Sequence, residues 1–142
     1  MEAADVMASF LQQLRSGNLK DDEKANIVAE VFRIKCNEHR DRGELYEALV
    51  ACNTSIYCAV PNTKALSVAY ANRSKIYFKC EFYMECLDNI KLARENGYPA
   101  DKLHKLQARE DKWRIILPLD FAELEEFKYS CDIFPYKSQQ IR

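Results

Sequence analysis

The feature that most constrains this chain is its similarity to itself at an offset of 38 residues. Small residues then fall on small ones and large residues on large ones, as expected where the same helix contacts recur. The matched pairs are Phe32 and Tyr70, Cys36 and Ser74, His39 and Tyr77, Leu45 and Tyr83, Ala48 and Cys86, Leu49 and Leu87, and Ser55 and Ala93. The pattern predicts a repeated structural unit.

The scarcity of turn residues indicates which kind of unit repeats. The 142 residues include only 3 glycines and 4 prolines, too few for a sandwich or barrel made of many short strands. Apolar residues make up 48% and charged residues 30%, which suits one domain with a buried core and a polar surface. We therefore expect an all-α fold of helix-turn-helix repeats, that is, a short α-solenoid.

The spacing of apolar residues predicts where the helices lie. Asp21 or Asp22 is expected to cap the second helix, Gly43 to follow its end, and the stretch Pro61-Asn62-Thr63 to offer a cap for the fourth. The predicted helices cover 3–15, 21–42, 44–59, 64–79, 83–95, 101–117 and, more weakly, 121–129. The predicted organisation is a helical extension at 1–20, a repeat domain at 21–130 with units at 29–62, 67–99 and a degenerate 101–130, and a frayed tail at 131–142.

Charge and cysteine content exclude several classes of function. With 21 basic and 22 acidic residues the chain lacks the basic excess of a nucleic-acid binder, and no apolar run is long enough to span a membrane. No secretory signal opens the chain, so we expect a cytoplasmic protein, with a nuclear location also open.

The six cysteines, at 36, 52, 58, 80, 86 and 131, are then expected to be reduced thiols packed between helices. Because they form no C-x-x-C pair, we expect no metal, and we expect no cofactor.

Enzyme motifs are missing from the sequence. It contains no phosphate-binding loop, dinucleotide fingerprint or zinc-protease motif. Cys36 and His39 lie three residues apart on one helix, but no acid stands nearby to orient the histidine. Glu125 and Glu126 are adjacent and point in different directions on a helix. We therefore predict no catalytic residue in this chain.

Polar residues on the first helix of each unit form the candidate site, because these helices line the concave face of such solenoids. Arg33 and Asn37 are four residues apart, Asn72 follows in the second unit, and Lys105 and Arg109 are again four apart. Two like charges at that spacing repel each other and destabilise a helix. An anion bound between them would make the arrangement favourable instead.

These residues resemble the carboxylate clamp of co-chaperone tetratricopeptide repeats, whose period is 34 residues. The resemblance implies that Arg33, Asn37 and Asn72 hold a terminal carboxylate, while Lys105 and Arg109 hold acidic side chains. The implied partner is the acidic C-terminal peptide of a heat-shock chaperone, ending Glu-Glu-Val-Asp. The chain departs from the family, which usually has Lys in place of Arg33 and Gly in place of Cys36.

A longer stretch, about 30–112, resembles the repeat region of SET-and-MYND-domain proteins. The resemblance is carried by Pro61-Asn62-Thr63, Tyr70-Ala71-Asn72-Arg73-Ser74, Glu85-Cys86-Leu87-Asp88-Asn89-Ile90, Ala93 and Gly97-Tyr98-Pro99. In that family a SET domain methylates lysine and a MYND module binds zinc, and neither is present in this chain. The alternative to a tail-binding module is thus the non-catalytic, recruiting part of such a methyltransferase. A third interpretation is a purely structural repeat whose groove is filled by residues 3–15.

Overall fold

The computed structural model describes residues 3–116, and these contain six α-helices, one short 3-10 helix and no strand. The helices are α1 (Ala3–Arg15), α2 (Asp21–Asp41), α3 (Leu45–Cys58), α4 (Lys64–Lys79), α5 (Tyr83–Glu95) and α6 (Leu103–Ile116), and the 3-10 helix spans Ala100–Lys102. The all-α, helix-turn-helix prediction is confirmed. The predicted helix at 121–129, the last part of the third unit and the tail at 131–142 lie outside the described residues.

Local sequence signals explain most of the helix ends. The Thr63 side chain accepts a hydrogen bond of 3.5 Å from the Leu66 amide, as a helix cap should. The predicted capping role of Asp21 or Asp22 is wrong: the cap position is Lys20, and both aspartates lie in the first turn of α2. There their negative charges favour the positive end of the helix dipole.

The 38-residue repeat is present in the backbone at the ends of α2 and α4. Gly43 and Glu81, which are 38 apart, both have left-handed φ angles, of 76° and 63°. The next amides, of Glu44 and Phe82, each donate 2.9 Å hydrogen bonds to the carbonyls of His39 and Tyr77. This is the Schellman closure of a helix. Two helix ends with the same hydrogen bonds therefore start α3 and α5 in the same direction.

Helix α4 lies at the centre of the described structure. Helices α2 and α3 form one hairpin, α4 and α5 form the next, and α4 packs against both helices of the first hairpin. Ten of the 16 residues of α4 are buried, including Arg73, which is fully buried. Its Nε donates to Asn89 Oδ1 at 2.7 Å and its Nη1 to Asn53 Oδ1 at 3.0 Å. Arg73 therefore joins α4 to α3 and α5.

The cysteines correct one prediction. Cys36 and Cys52 form a disulfide between α2 and α3, so the expectation of six reduced thiols is wrong for these two. Facing positions in the antiparallel hairpin bring their Cα atoms to 5.5 Å, within the usual range for a disulfide. Cys58, Cys80 and Cys86 are thiols.

Candidate functional site

The clamp residues on α2 and α4 are partly buried. Arg33 Nε donates to Glu30 Oε2 at 2.8 Å, and each of these side chains is 25% exposed. Asn37 Oδ1 and Asn72 Nδ2 are buried atoms with no hydrogen-bond partner among the described residues. Unpaired buried amide groups are costly, and such groups are common where a ligand or water completes the site.

The clamp residues on α6 differ in exposure. Lys105 is exposed, whereas Arg109 is half-buried and donates from Nη1 to Ser74 Oγ at 2.6 Å. Burial lowers the pKa of Arg109, while Cys86 and Tyr98 act in the opposite direction. The hydrogen bond to Ser74 fixes Arg109 against α4, the helix that also carries Asn72.

Lys75 on α4 lies close to charged residues of both α2 and α6. Burial, together with four neighbouring cations, lowers the pKa of Lys75 to about 8. These four are Arg33 and Arg40 from α2 and Lys105 and Arg109 from α6. We call the five residues Arg33, Arg40, Lys75, Lys105 and Arg109 the cationic cluster. Three of the five predicted clamp residues thus belong to one electrostatic unit.

Arg40 and Lys75 were not among the residues predicted from the sequence. The signal was present, since Arg40 follows Arg33 by seven residues and Asn37 by three, which places all three on one face of α2. Lys75 likewise follows Asn72 by three residues on α4. Arg40 Nη1 is buried with no hydrogen-bond partner in the described part of the chain, and Nη2 contacts Asp41 Oδ1 at 3.5 Å.

The arrangement suits an anion. Five cations held close together repel one another, and the partial burial of four of them adds a desolvation cost, which a bound negative charge would offset. Arginine and lysine donate charge-assisted hydrogen bonds to carboxylates, and asparagine can complete the contacts with neutral ones. Within the described residues, no cluster of side chains fits a metal ion.

Two other features lie apart from the cationic cluster. A groove of about 310 Å³ between α2 and α3 is lined by Phe32, Tyr46, Val50 and Thr54, among others, and by none of the predicted clamp residues. Arg73, which follows Asn72 directly, is held in the core by hydrogen bonds to Asn53 and Asn89.

Of the described helices, none combines the length and apolar character needed to cross a membrane.

Comparison with known proteins identifies one group of relatives. The chain is 36% identical over 95 residues to the protein-lysine N-methyltransferase SMYD4 of Danio rerio, covering 58% of this chain and 13% of that protein. It is 32% identical over 101 residues to SMYD4 of Mus musculus, covering 71% of this chain and 12% of that protein. It is 30% identical over 110 residues to SMYD4 of Homo sapiens, covering 76% of this chain and 13% of that protein.

The matched region spans 12–13% of the length of these curated relatives. No protein-family model matches the chain. No solved structure matches it either. The similarity agrees with the resemblance to SET-and-MYND-domain proteins, while the tetratricopeptide assignment and the clamp stay predictions.

Proposed function

We propose that this chain is a non-catalytic helical module of a SMYD4-like protein-lysine methyltransferase, and that it recruits partners through their acidic C-terminal tails. The similarity to SMYD4 supports the first part, because it covers most of this chain and only about an eighth of each relative. The proposal includes a cytoplasmic location with a nuclear pool, which fractionation of cells would test.

The cationic cluster is the observation that carries the proposal of tail binding. It gathers charges from three helices around Lys75, and Asn72 on the same helix has an unpaired buried donor, Nδ2, that a carboxylate could accept from. A stretched C-terminal peptide offers a main-chain carboxylate and acidic side chains in a row, so it can contact several of these cations at once. Arg33 would then exchange its Glu30 partner for a ligand carboxylate.

The described residues give less support to a catalytic role. The sequence placed Cys36 beside His39 as a possible nucleophile and base, but Cys36 is fully buried and its sulfur is bonded to Cys52. A nucleophile needs a free thiolate that a substrate can reach. Methyl transfer, if the full protein performs it, is therefore proposed to belong to residues outside this module.

The first test is a calorimetric titration of the chain with a peptide ending Glu-Glu-Val-Asp and with its C-terminally amidated twin. We expect the free acid to bind about tenfold more tightly, because the amide removes one charge-assisted contact. Affinity should also fall with added salt, since the contacts are electrostatic. Lys105→Met should weaken binding, whereas Lys91→Met, which removes an exposed charge on α5, should not.

Two results would contradict the proposal. Equal binding of the acid and the amide would exclude recognition of a terminal carboxylate, and absence of binding to both would exclude a tail-binding site. If binding appeared only after residues 1–17 were removed, the third interpretation would be supported, in which α1 fills the groove. Circular dichroism of each variant separates lost contacts from lost helix.

A further inference from the structure

Arg40 and Lys75 have no role in the clamp predicted from the sequence. Arg40 lies one turn beyond Asn37 on α2, and Lys75 lies one turn beyond Asn72 on α4. Both therefore continue the faces that carry the two asparagines, in the direction of the C-terminal ends of their helices. The pair extends the predicted clamp toward the C-terminal ends of α2 and α4.

The surroundings of this pair are rich in donors and in positive charge. The charged groups that act most on Lys75 are cations, with Arg33 and Arg40 coming from α2 and Lys105 and Arg109 from α6. Arg40 also lowers the pKa of Arg109, so the α2 and α6 charges act on each other directly. The described residues leave Arg40 Nη1 and Asn72 Nδ2 buried without acceptors, and Asn72 is only 4% exposed.

An acceptor supplied from outside would satisfy these groups. The nearby carboxylates already have other contacts, since Glu30 accepts from Arg33 and Asp41 lies at 3.5 Å from the opposite guanidinium nitrogen of Arg40. A carboxylate has two oxygens and can accept from an arginine, a lysine and an amide at the same time. A carboxylate that entered between α2 and α4 would offer acceptors to Arg40, to Lys75 and to the Asn72 amide.

We propose that Arg40 and Lys75 form a second anion subsite, which binds an acidic side chain of the tail upstream of its terminal residue. This inference rests on the proposed function, because it assumes that the clamp holds the end of the tail, with Lys105 and Arg109 on the acidic side chain of the last residue. It adds a selection rule: the module prefers tails that carry glutamate or aspartate before the last residue. It also makes Arg40 and Lys75 the residues that determine this preference.

Proton uptake accompanies binding at such a subsite. In the free protein the pKa of Lys75 is about 8, because burial and the four cations disfavour its charge. A bound carboxylate favours that charge and raises the pKa. Affinity is then constant well below pH 8 and falls as the pH rises from about 8 through the pKa of the complex.

The experiment compares two peptides, ending Glu-Glu-Val-Asp and Gln-Gln-Val-Asp, on the wild-type chain and on Arg40→Met, Lys75→Met and Lys91→Met. We expect the wild-type chain and Lys91→Met to prefer the glutamate peptide by about tenfold, and Lys75→Met and Arg40→Met to lose most of that preference. Both variants should still bind the glutamine peptide within about threefold of the wild-type affinity.

The outcomes separate this inference from the proposed function. If the wild-type chain bound both peptides equally and needed the free carboxylate, the second subsite would be excluded and the clamp kept. If it bound neither, the proposed function itself would fail. Calorimetry at pH 7 and pH 9 in buffers of different ionisation enthalpy measures the proton uptake, and uptake that persisted in Lys75→Met would overturn the assignment to Lys75.

Discussion

Arg73 and Lys75 lie two residues apart on α4 and illustrate how differently a buried cation can be used. Arg73 is fully buried and donates to Asn53 and Asn89, so its charge is solvated by the protein's own amides. Lys75 is half-buried among four further cations, which lower its pKa. Burial lowers the pKa of both side chains, but Arg73 has acceptors within the fold, whereas Lys75 lies among further cations and costs stability until an anion binds.

Replacing Lys75 with methionine should therefore stabilise the free protein while it weakens tail binding. The folded-state pKa of Lys75 lies below its ordinary value of 10.5, so the folded form is destabilised wherever the lysine is protonated. One pKa unit corresponds to about 1.4 kcal/mol, but solvent screens the charge of a side chain that is only half-buried. We therefore expect Lys75→Met to raise the free energy of unfolding at pH 7 by about 1–2 kcal/mol.

Urea unfolding at several pH values measures this effect. The stability of the wild-type chain should gain a contribution from Lys75 as the pH rises from about 8 to 10.5, since the unfolded chain then binds the extra proton. Lys75→Met should lack that contribution, and Lys91→Met serves as the control. A loss of stability in Lys75→Met at pH 7 would show that the lysine is a structural residue.

At the scale of single helices, the repeat is seen at the helix ends. Gly43 and Glu81 occupy equivalent positions after α2 and α4, and both adopt left-handed backbone angles. Glycine reaches this conformation without steric cost, whereas glutamate does so against its own Cβ. The second unit thus keeps the geometry of the first although its sequence lacks the glycine.

This comparison predicts the effects of exchanging the two residues. Glu81→Gly should stabilise the fold by about 0.5–1 kcal/mol, because relief of the left-handed strain exceeds the added freedom of the unfolded chain. Gly43→Ala should destabilise it by about 1 kcal/mol, for the opposite reason. Thermal unfolding followed by circular dichroism measures both, and a destabilising Glu81→Gly would contradict the account.

At the scale of the whole molecule, the cationic cluster depends on how the helices pack, because its members come from three of them. Helix α6 supplies Lys105 and Arg109, and its buried residues Leu106 and Trp113 attach it to the rest. The Trp113 ring meets the Phe78 ring edge-to-face, with centroids 6.1 Å apart. Arg94 Nη1 on α5 also pairs with Glu110 Oε2 at 2.7 Å. The site therefore depends on the docking of α6.

Truncating the anchor should separate binding from the folding of the first units. Trp113→Ala removes the largest fully buried side chain of α6, at a cost of about 3–5 kcal/mol. Because a solenoid gains its stability from neighbouring contacts, we expect α6 to loosen while the hairpins of α2–α5 stay helical. Circular dichroism should show a small loss of helix, and titration a large loss of affinity for the Glu-Glu-Val-Asp peptide. Undiminished affinity would exclude α6 from the site.

The sequence by itself determined the helices and their repeat, because both follow from local physics. Apolar spacing and turn residues place α1, α4 and α5 within a residue of their ends, and the offset of 38 matches the hydrogen bonds at Gly43 and Glu81. Local rules also account for one wrong cap, since an aspartate in the first turn of a helix satisfies the same dipole as one at the cap.

Only the tertiary structure decided which charges meet and which cysteines pair. The burial of Lys75, its four cationic neighbours and the bond between Cys36 and Cys52 depend on how α2, α3, α4 and α6 are arranged. Residue spacing reveals which side chains share a face of one helix, but not which faces of different helices lie together. That arrangement results from packing of the whole core, and so Arg40 and Lys75 join the candidate site only in three dimensions.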